Sequence, residues 1–539
     1  MMDMQIQRID HLGVIAGVIK DLKIIELIDQ KIPKDKREEI STGEAIAGMI
    51  INGLGFSDRP LSLTPQFFES KAMEVLFRKG VEAEHFNRFK LGRALDDCFE
   101  YGCDQLFSEI SFSVCKKEKV DCRFNSEDTT TFSLTGEYDE CSDEYVVEIK
   151  HGYSKDHRSD LKQVVLELMV SQDGGVPLVS KSWDGNASDS KIFKERAKAL
   201  IEEFKKSEKP RYLIADSKLY CESSIDYLKE VPFVTRIPAT IKLENEIVKK
   251  AIEESSIWQK MDEENQYKTF EVDHYGMKQR WIVVQSQESI NRSAKRIQKA
   301  IEKEKESLES WLRKLSQQRF HCQEDALKNL EVLNKKRKFH QVRFLEIIGH
   351  KHFQGKGKPK KDAEYETHWQ IRGEIVLDEK VKTELIQQES CYVISSTALK
   401  ENLSDCEIIE GYKGQNSSVE RGFRFLKDPL FFVSSLFIKK PERIMGLLMI
   451  MTLALLVYSI AQRRLRNYLK ENQKTLPNQI KKEINTPTLR WVFQMMEGIN
   501  VVILALEEGK KVMIQGLNMV RKRIIECFGF EVAKIYQLE

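Results

Sequence analysis

The spacing of apolar residues changes from helical to strand-like near residue 118. Residues 1–115 repeat apolar side chains at helical intervals. The first such set is Ile9, Leu12, Ile15, Val18 and Ile19. The sequence from Ser41 to Glu44 fits a capping box that starts a further helix. We expect a helical region for DNA binding or dimerisation, or an inert helical bundle, and periodicity does not choose between these.

The first predicted strand carries a carboxylate on its more apolar face. In a strand, every second residue points to the same face. The residues on this face are Val120, Cys122, Phe124, Ser126, Asp128, Thr130, Phe132 and Leu134. The opposite face, which holds Glu127, is polar throughout. Asp128 therefore needs a cation, a metal ion or a raised pKa, or it is a satisfied structural residue of a Thr-rich strand.

A hairpin and a buried strand follow. Val164 to Met169 and Val176 to Trp183 are joined through Asp173-Gly174-Gly175, a strong turn sequence. Tyr212 to Ala215 is a short apolar run, typical of a strand buried on both faces, and it ends at Asp216. Open sheets bind ligands at the carboxyl ends of such strands. Asp216 is thus a candidate ligand, or the N-cap of the next helix.

A ridge of charged residues is predicted on a helix that begins near Ser417. Its apolar stripe is Val419, Phe423 and Leu426. Glu420, Arg424 and Lys427 recur at the same interval, one position further round. A carboxylate followed by two cations suits a metal ligand beside phosphate-binding groups. The alternative is a capping box formed by Ser417 and Glu420.

The middle of the chain is charged and the end is partly very apolar. Residues 286–338 predict two long helices that fold back near 317–323, with the basic tail Lys335-Lys336-Arg337-Lys338. Ile444 to Ala461 is uncharged and near the lower length limit of a membrane span, but we interpret it as a buried helix of a large domain. Further strands are predicted at 228–237, 269–272, 279–284, 343–348, 375–377 and 392–396.

Composition narrows the class of protein only slightly. The chain has 539 residues, 41% hydrophobic and 32% charged, with a net charge of +2. Any nucleic-acid affinity therefore has to come from local basic patches. The ten cysteines are scattered without a C-x-x-C motif, which favours a reducing cytosol over a disulfide framework or zinc ribbon. The N-terminal sequence is not that of a signal peptide, so we expect a cytoplasmic protein.

The three carboxylates and their neighbouring motifs resemble the DDE transposases of bacterial insertion sequences, of the cut-and-paste group with a Tyr-Arg-Glu-Lys signature. The matching motifs are Asp128-Thr129-Thr130, Gly136-Glu137-Tyr138, Asp173 to Leu178, Trp183 to Asn186, Ala215-Asp216-Ser217, Phe233 to Pro238 and Val419 to Lys427. Tyr412, Glu420 and Lys427 match the signature itself. The chain departs from it twice. Gln415 replaces the arginine, and Tyr412 is one residue further from Glu420.

The resemblance implies a mixed α/β fold with a ribonuclease H-like core that a large insertion interrupts. We expect a helical N-terminal domain at 1–115, the first part of the core at 116–240, the insertion at 241–388, the second part of the core at 389–475 and a helical C-terminal region at 476–539.

The resemblance also implies metal-dependent cleavage and transfer of DNA strands at the ends of an insertion sequence. Asp128, Asp216 and Glu420 are expected to hold two Mg²⁺ or Mn²⁺ ions in each active site. The expected DNA contacts are Tyr412, Arg421, Arg424, Lys427, Lys335, Lys336, Arg337 and Lys338. The expected partners are the terminal inverted repeats, the target DNA and a second copy of the chain, as a homodimer or DNA-bridged synapse. We expect no membrane partner, and a protein that joins the nucleoid when bound to DNA.

Two other classes remain open at this point. A decayed or domesticated copy keeps the fold and binds DNA without cleaving it. A coiled-coil or membrane-associated structural protein, built on 286–338 and 444–461, leaves the strands that carry Asp128 and Asp216 unexplained.

Overall fold

The structure, a computed structural model, describes most of the chain as two compact units. The first unit comprises Met1–Thr235 and Thr397–Glu539, and the second is the continuous segment Arg236–Ser396. The described residues are 3–57, 60–138, 145–156, 158–188, 191–192, 195–196, 211–215, 217, 220–222, 228–254, 257–335, 337–353, 364–429, 431, 438–506 and 509–538.

Helices and strands are mixed in both units, which gives a mixed α/β fold. The helices are α1 Leu12–Leu22, α2 Ile24–Lys31, α3 Thr42–Leu54, α4 Thr64–Phe68, α5 Met73–Leu76, α6 Arg88–Tyr101, α7 Cys103–Glu118, α8 Lys242–Glu253, α9 Gln287–Gln317, α10 Gln323–Lys335, α11 Glu379–Glu389, α12 Asp405–Leu426, α13 Pro441–Glu471, α14 Leu489–Met495, α15 Met519–Glu526 and α16 Phe530–Ile535. Leu61–Leu63 and Ala83–Phe86 form short 3-10 turns.

The strands are β1 Asp3–Arg8, β2 Phe124–Leu134, β3 Lys162–Ser171, β4 Val176–Trp183, β5 Tyr212–Ala215, β6 Phe233–Arg236, β7 Gln259–Lys260, β8 Asn265–His274, β9 Met277–Ser286, β10 His340–Phe353, β11 Tyr365–Leu377, β12 Cys391–Ser396, β13 Leu476–Pro477, β14 Glu483–Ile484, β15 Asn500–Leu506 and β16 Gly509–Gln515. The predicted strand at 228–237 is too long, because only its last part is extended.

The N-terminal region contains the predicted helices and one strand that was not predicted. Ser41 caps α3, accepting the Glu44 N–H at 3.0 Å while its own N–H donates to Glu44 at 2.9 Å. β1 pairs antiparallel with β15, and β15 pairs with β16. The prediction of purely helical terminal regions is therefore wrong. The reason is a non-local pairing that satisfies the backbone groups of both ends of the chain.

The sheet of the first unit places β2 at its centre. The strand order is β4-β3-β2-β5-β6. β3 is antiparallel to both β2 and β4, whereas β5 is parallel to β2 and to β6. β3 pairs with β2 from Asn125 to Leu134, whereas β5 pairs with it only from Phe124 to Ser126, so β2 has a partner strand on each side at its start.

The expected polar face of β2 is in fact buried. Asn125, Glu127, Thr129 and Thr131 are 1%, 5%, 6% and 2% exposed, respectively. The side chain of Asp128, expected on the better buried face, is 35% exposed. The prediction of which residues share a face was correct, but the prediction of which face is buried was wrong. A central strand of a sheet that is covered on both sides buries the side chains of both faces.

The apolar helix α13 runs through the core of the first unit. Among the described residues it alone is long and apolar enough to cross a membrane, and 89% of its most apolar window is buried. It packs on α3, α6, α7 and β4. The hydroxyl of Thr452, in the middle of α13, lies 3.0 Å from that of Ser180 on β4. This burial agrees with the predicted core helix.

The second unit contains an antiparallel sheet and a separate two-stranded ribbon. The sheet order is β12-β9-β8-β7, and the ribbon pairs β10 with β11. The charged stretch breaks between Gln317 and Gln323, as predicted. Its two helices do not form a simple hairpin, because they share a core with the ribbon. That core is formed by Leu308, Leu315, Phe320, Ala326, Leu330, Val342 and Ile371.

Candidate active site

Helix α12 begins earlier than its sequence suggested. Ser404 is its N-cap, accepting the Glu407 N–H at 3.3 Å, and Glu407 accepts the Ser404 N–H at 2.9 Å. The predicted start near Ser417 is therefore wrong, and so is the capping role of Ser417 and Glu420. Gly411 and Gly414 favoured a loop in the sequence, because glycine disfavours helix interiors. Glu420 lies well inside the helix.

The same glycines allow α12 to lie directly against the sheet. A Cβ atom on Gly411 would be 3.1 Å from the Phe124 ring, and one on Gly414 would be 2.4 Å from Gln172. The Gln172 side chain fills this close contact. Its Nε2 donates to Gly411 O at 2.6 Å and to Ser126 Oγ at 3.0 Å. Gln172 thus fixes α12 to β2 at one end of the site.

The rise per residue places Glu420 and Asp128 at about the same distance along the contact between α12 and β2. At the far end, Lys427 Nζ is 5.9 Å from the centre of the Phe132 ring. Starting from the contact of Gly411 with Phe124, Glu420 is about 14 Å along α12 and Asp128 is about 13 Å along β2. The Asp128 face is also the one that α12 covers, since Leu168 pairs with Asp128. A Cβ atom on Gly422 would be 3.1 Å from Leu168.

An open groove of about 660 Å³ lies along this contact. Thr130, which shares the face of Asp128, lines it together with Glu420, Arg424 and Lys427. Val419, Phe423 and Leu426 are buried beneath, as the predicted stripe required. Glu420 and Arg424 are exposed. The groove therefore presents the Glu420 carboxylate together with two cations, Arg424 and Lys427, towards the C-terminal end of α12.

Two neighbouring residues that the sequence did not single out complete the charge pattern. Lys155 Nζ is 3.5 Å from Asp128 Oδ1. It also donates to Thr129 O at 2.5 Å and to Thr129 Oγ1 at 2.7 Å. Asp156 accepts two hydrogen bonds from Lys427 Nζ, at 2.7 and 2.8 Å. The only sequence signal was adjacent opposite charges in a short segment before β3.

The opposite face of β2 carries a separate buried carboxylate pair. Glu167 accepts from Trp183 Nε1 at 2.8 Å and from Arg196 Nε at 2.5 Å. Burial raises the pKa of Glu127 well above its ordinary value, and the charge of Glu167 raises it further. Both causes favour the neutral form of Glu127. It faces away from the groove and does not add a carboxylate to it.

A second cluster of cations lies beside α12. Arg421 is exposed, and its charge adds to burial in lowering the pKa of Arg466 on α13. Arg490, at the start of α14, is hydrogen bonded to Asp428. Its guanidinium lies 4.8 Å from the Phe56 ring centre. A surface with so many cations next to the groove suits an anionic partner.

The other predicted site residues are more scattered. Asp216 lies outside the described residues, although Ala215 before it ends β5, next to β2. Tyr412 is half-buried on α12, and Gln415 is buried. The basic tail belongs to the second unit, where Glu304 accepts the N–H groups that follow Arg337. Lys338 is exposed and Arg337 half-buried, and no side chain is described for Lys335 or for Lys336.

Comparison with known proteins identifies the family. Residues 128–457 match the family described as "Transposase DDE domain", and residues 4–112 match a domain of unknown function, DUF4277. No curated protein sequence matches the chain significantly. Among solved structures, a piggyBac transposase synaptic complex with hairpin DNA aligns over 92% of this chain and 82% of its own, with 8% identity and a TM-score of 0.36. Because the transposase match spans more than half of the chain, the protein belongs to the transposase DDE domain family and functions in DNA transposition.

Proposed function

We propose that this transposase cleaves and joins DNA strands with the help of divalent metal ions held by Asp128, Asp216 and Glu420. The observation that carries the proposal is the common level of Asp128 and Glu420 along the contact between β2 and α12. Asp216 follows Ala215, the last residue of the strand beside β2. Its position in the sequence supports its inclusion.

The residues present fit a divalent cation. The Asp128 carboxylate is 35% exposed, and the Lys155 ammonium already lies 3.5 Å from it, so the position is suited to positive charge. Mg²⁺ and Mn²⁺ prefer oxygen ligands, and Mg²⁺ keeps several waters. Among the described residues no three His, Cys, Asp or Glu side chains surround an ion position. The proposal therefore depends on Asp216 as the third ligand.

Each residue of the groove then has a role. Asp128, Asp216 and Glu420 would hold the divalent ions, which when bound would activate the attacking oxygen and stabilise the leaving oxygen of an in-line displacement at phosphorus. Arg424 and Lys427 hold the backbone phosphate next to the scissile bond. Arg421 contacts the same strand further along. Tyr412 stacks on a base that leaves the duplex at the cut.

The proposal extends to the fold, the partners and the setting. The strand order β4-β3-β2-β5-β6, with two parallel pairs on one side of β2, supports a ribonuclease H-like core that the second unit interrupts. The substrates are the terminal inverted repeats of an insertion sequence and a target DNA. A homodimer or DNA-bridged synapse holds the two ends together, in the cytoplasm of a bacterial cell. Lys335, Lys336, Arg337 and Lys338 contribute phosphate contacts.

Cleavage of DNA that carries the element ends tests this proposal. With Mg²⁺, we expect the wild-type protein to cut, whereas Glu420→Gln binds the ends but cuts at least about a hundredfold more slowly. Glu410→Gln is the matched control, since Glu410 is an exposed glutamate on the same helix. Normal cutting by Glu420→Gln would remove Glu420 from the metal site. Binding without cutting by the wild-type protein would indicate a decayed copy.

A further inference from the structure

Lys155 and Asp156 place one charge of each sign next to Asp128 and Lys427, respectively. The Lys155 Nζ atom lies 3.5 Å from Asp128 Oδ1, and the Asp156 Oδ1 atom lies 2.7 Å from Lys427 Nζ. Asp128 is the proposed metal ligand and Lys427 the proposed phosphate contact. Two consecutive residues thus occupy the positions that the substrate complex needs for a cation and an anion.

The backbone around these two residues is held firmly. The Lys155 N–H donates to Thr131 Oγ1 on β2 at 3.2 Å. The Ser154 hydroxyl accepts the Arg158 N–H at 3.1 Å, and Gln163 Nε2 of β3 donates to Tyr153 O at 3.2 Å. Tyr153 is therefore anchored to β3 and Lys155 to β2, so the Lys155 and Asp156 side chains can change partners without movement of the backbone at Tyr153 and Lys155.

Both side chains have room for an exchange of partners. The Lys155 side chain is 24% exposed and that of Asp156 is 42% exposed. Lys155 keeps its two acceptors on Thr129 when it releases Asp128, so its charge stays hydrogen bonded. Asp156 is exposed enough to be hydrated once Lys427 turns to a phosphate. The exchange leaves no buried charge unpaired, which would otherwise be costly.

We infer that Lys155 and Asp156 are positioning residues that stand in for the metal ion and the DNA phosphate until both arrive. They hold the Asp128 carboxylate and the Lys427 ammonium in place, and they compete with the incoming ligands. The inference rests on the proposed function, because it takes Asp128 as a metal ligand and Lys427 as a phosphate contact. It adds that metal and DNA affinity are each lowered by one residue of this pair.

The metal side is tested by titrating Mn²⁺ into the full-length protein without DNA, with calorimetric detection. Lys155→Met should bind Mn²⁺ about two- to fivefold more tightly than wild type, the range expected for a partly exposed ion pair. Lys155→Arg, which keeps the cation, should stay near the wild-type value. Lys150→Met is the matched control, because Lys150 pairs with Glu148 in the same part of the chain. Unchanged or weaker Mn²⁺ binding by Lys155→Met overturns the inference.

The phosphate side is tested by duplex binding in EDTA at low salt. Asp156→Asn should bind a duplex about two- to fivefold more tightly, and the gain should vanish when Lys427→Met is added. Asp160→Asn, which removes a carboxylate paired only locally with Arg158, should change nothing. A gain that persists without Lys427, or no gain, contradicts the stand-in role of Asp156.

The two proposals fail in different ways. If Asp128→Asn abolishes Mn²⁺ binding while Lys155→Met equals wild type, the metal site stands and the competition by Lys155 does not exist. If wild type shows no Mn²⁺ binding that depends on Asp128, the proposed metal site fails and the inference fails with it.

Discussion

Glu127 and Asp128 are consecutive residues of β2 whose carboxylates lie on opposite faces of the sheet. Glu127 is 5% exposed, whereas the Asp128 side chain is 35% exposed beside the groove. Burial and the neighbouring Glu167 raise the pKa of Glu127 well above its ordinary value, which favours its neutral form. Glu127 therefore contributes to the packing of the sheet, and Asp128 is the position to which we assign the metal ligand.

This relationship predicts that replacing the carboxylate by an amide affects DNA cleavage very differently at the two positions. Glu127→Gln replaces a buried carboxyl by an amide of the same size on the face turned away from the groove, and should leave DNA cleavage within about twofold of wild type. Asp128→Asn removes a metal ligand and should slow cleavage by at least about a hundredfold. Cleavage rates with Mg²⁺ decide the matter, with binding of the element ends measured in parallel. Equal losses in both variants would show that the strand, and not the groove carboxylate, controls activity.

The structure predicts that the N-cap that stabilises α12 is Ser404 and not Ser417. Ser404→Ala removes the observed cap and should lower the free energy of unfolding by about 1 kcal/mol. Ser417→Ala changes a position twelve residues inside the helix and should cost less than about 0.5 kcal/mol. Urea unfolding of both variants compares them directly. A larger loss for Ser417→Ala would restore the cap near Glu420.

His11 predicts a loss of stability in acid. Its ring stacks on Phe493 at 4.4 Å, and its Nε2 lies 3.0 Å from Leu54 O. Burial lowers the pKa of His11 from 6.5 to about 4. The contribution of neutral His11 is therefore complete above pH 6.5 and is lost as the pH falls towards 4. The loss amounts to about 3 kcal/mol.

Urea unfolding at pH 7 and pH 4 measures this effect. His11→Gln keeps a side-chain donor but does not titrate, so its free energy of unfolding should fall less than that of wild type over the same interval. Parallel pH curves for the two proteins would mean that His11 is not the group responsible.

The basic tail of the second unit predicts how binding responds to salt. Neutralising Lys335, Lys336, Arg337 and Lys338 together should weaken binding to any duplex and flatten its salt dependence, by about 0.9 in slope for each lost phosphate contact. End preference should persist, because phosphate contacts position the protein and do not read sequence. Neutralising Lys380 and Lys382, which pair with Glu384 and Glu379, is the control. An unchanged slope would leave the tail as a solvated surface.

The elements that were predicted correctly are those in which the spacing of apolar residues directly indicates which side chains are buried. β3, β4 and β5 were apolar runs bounded by turns, and α13 was an apolar run with Pro441 at its first turn. The ridge of Glu420, Arg424 and Lys427 was also visible, since helical spacing fixes which side chains lie together.

What the sequence did not predict depends on distant contacts. β1 alternates polar and apolar residues, but it becomes a strand by pairing with β15, almost 500 residues away. The helix was predicted to begin near Ser417, and the packing of α12 on β2 explains why Gly411 and Gly414 lie inside it. The contact of Lys155 with Asp128 likewise arises from the folded sheet. The spacing of residues along the sequence does not indicate contacts of this kind between distant segments.

The most direct test of the metal site is the position of Mn²⁺ in a complex of the protein with its element ends, measured by anomalous scattering. We predict two ions about 3.5–4 Å apart, both bound to Asp128, with Asp216 on one and Glu420 on the other. Lys155 should have left the Asp128 carboxylate. A cleavage-competent complex with no ion at Asp128, or with Glu420 away from every ion, would contradict the account.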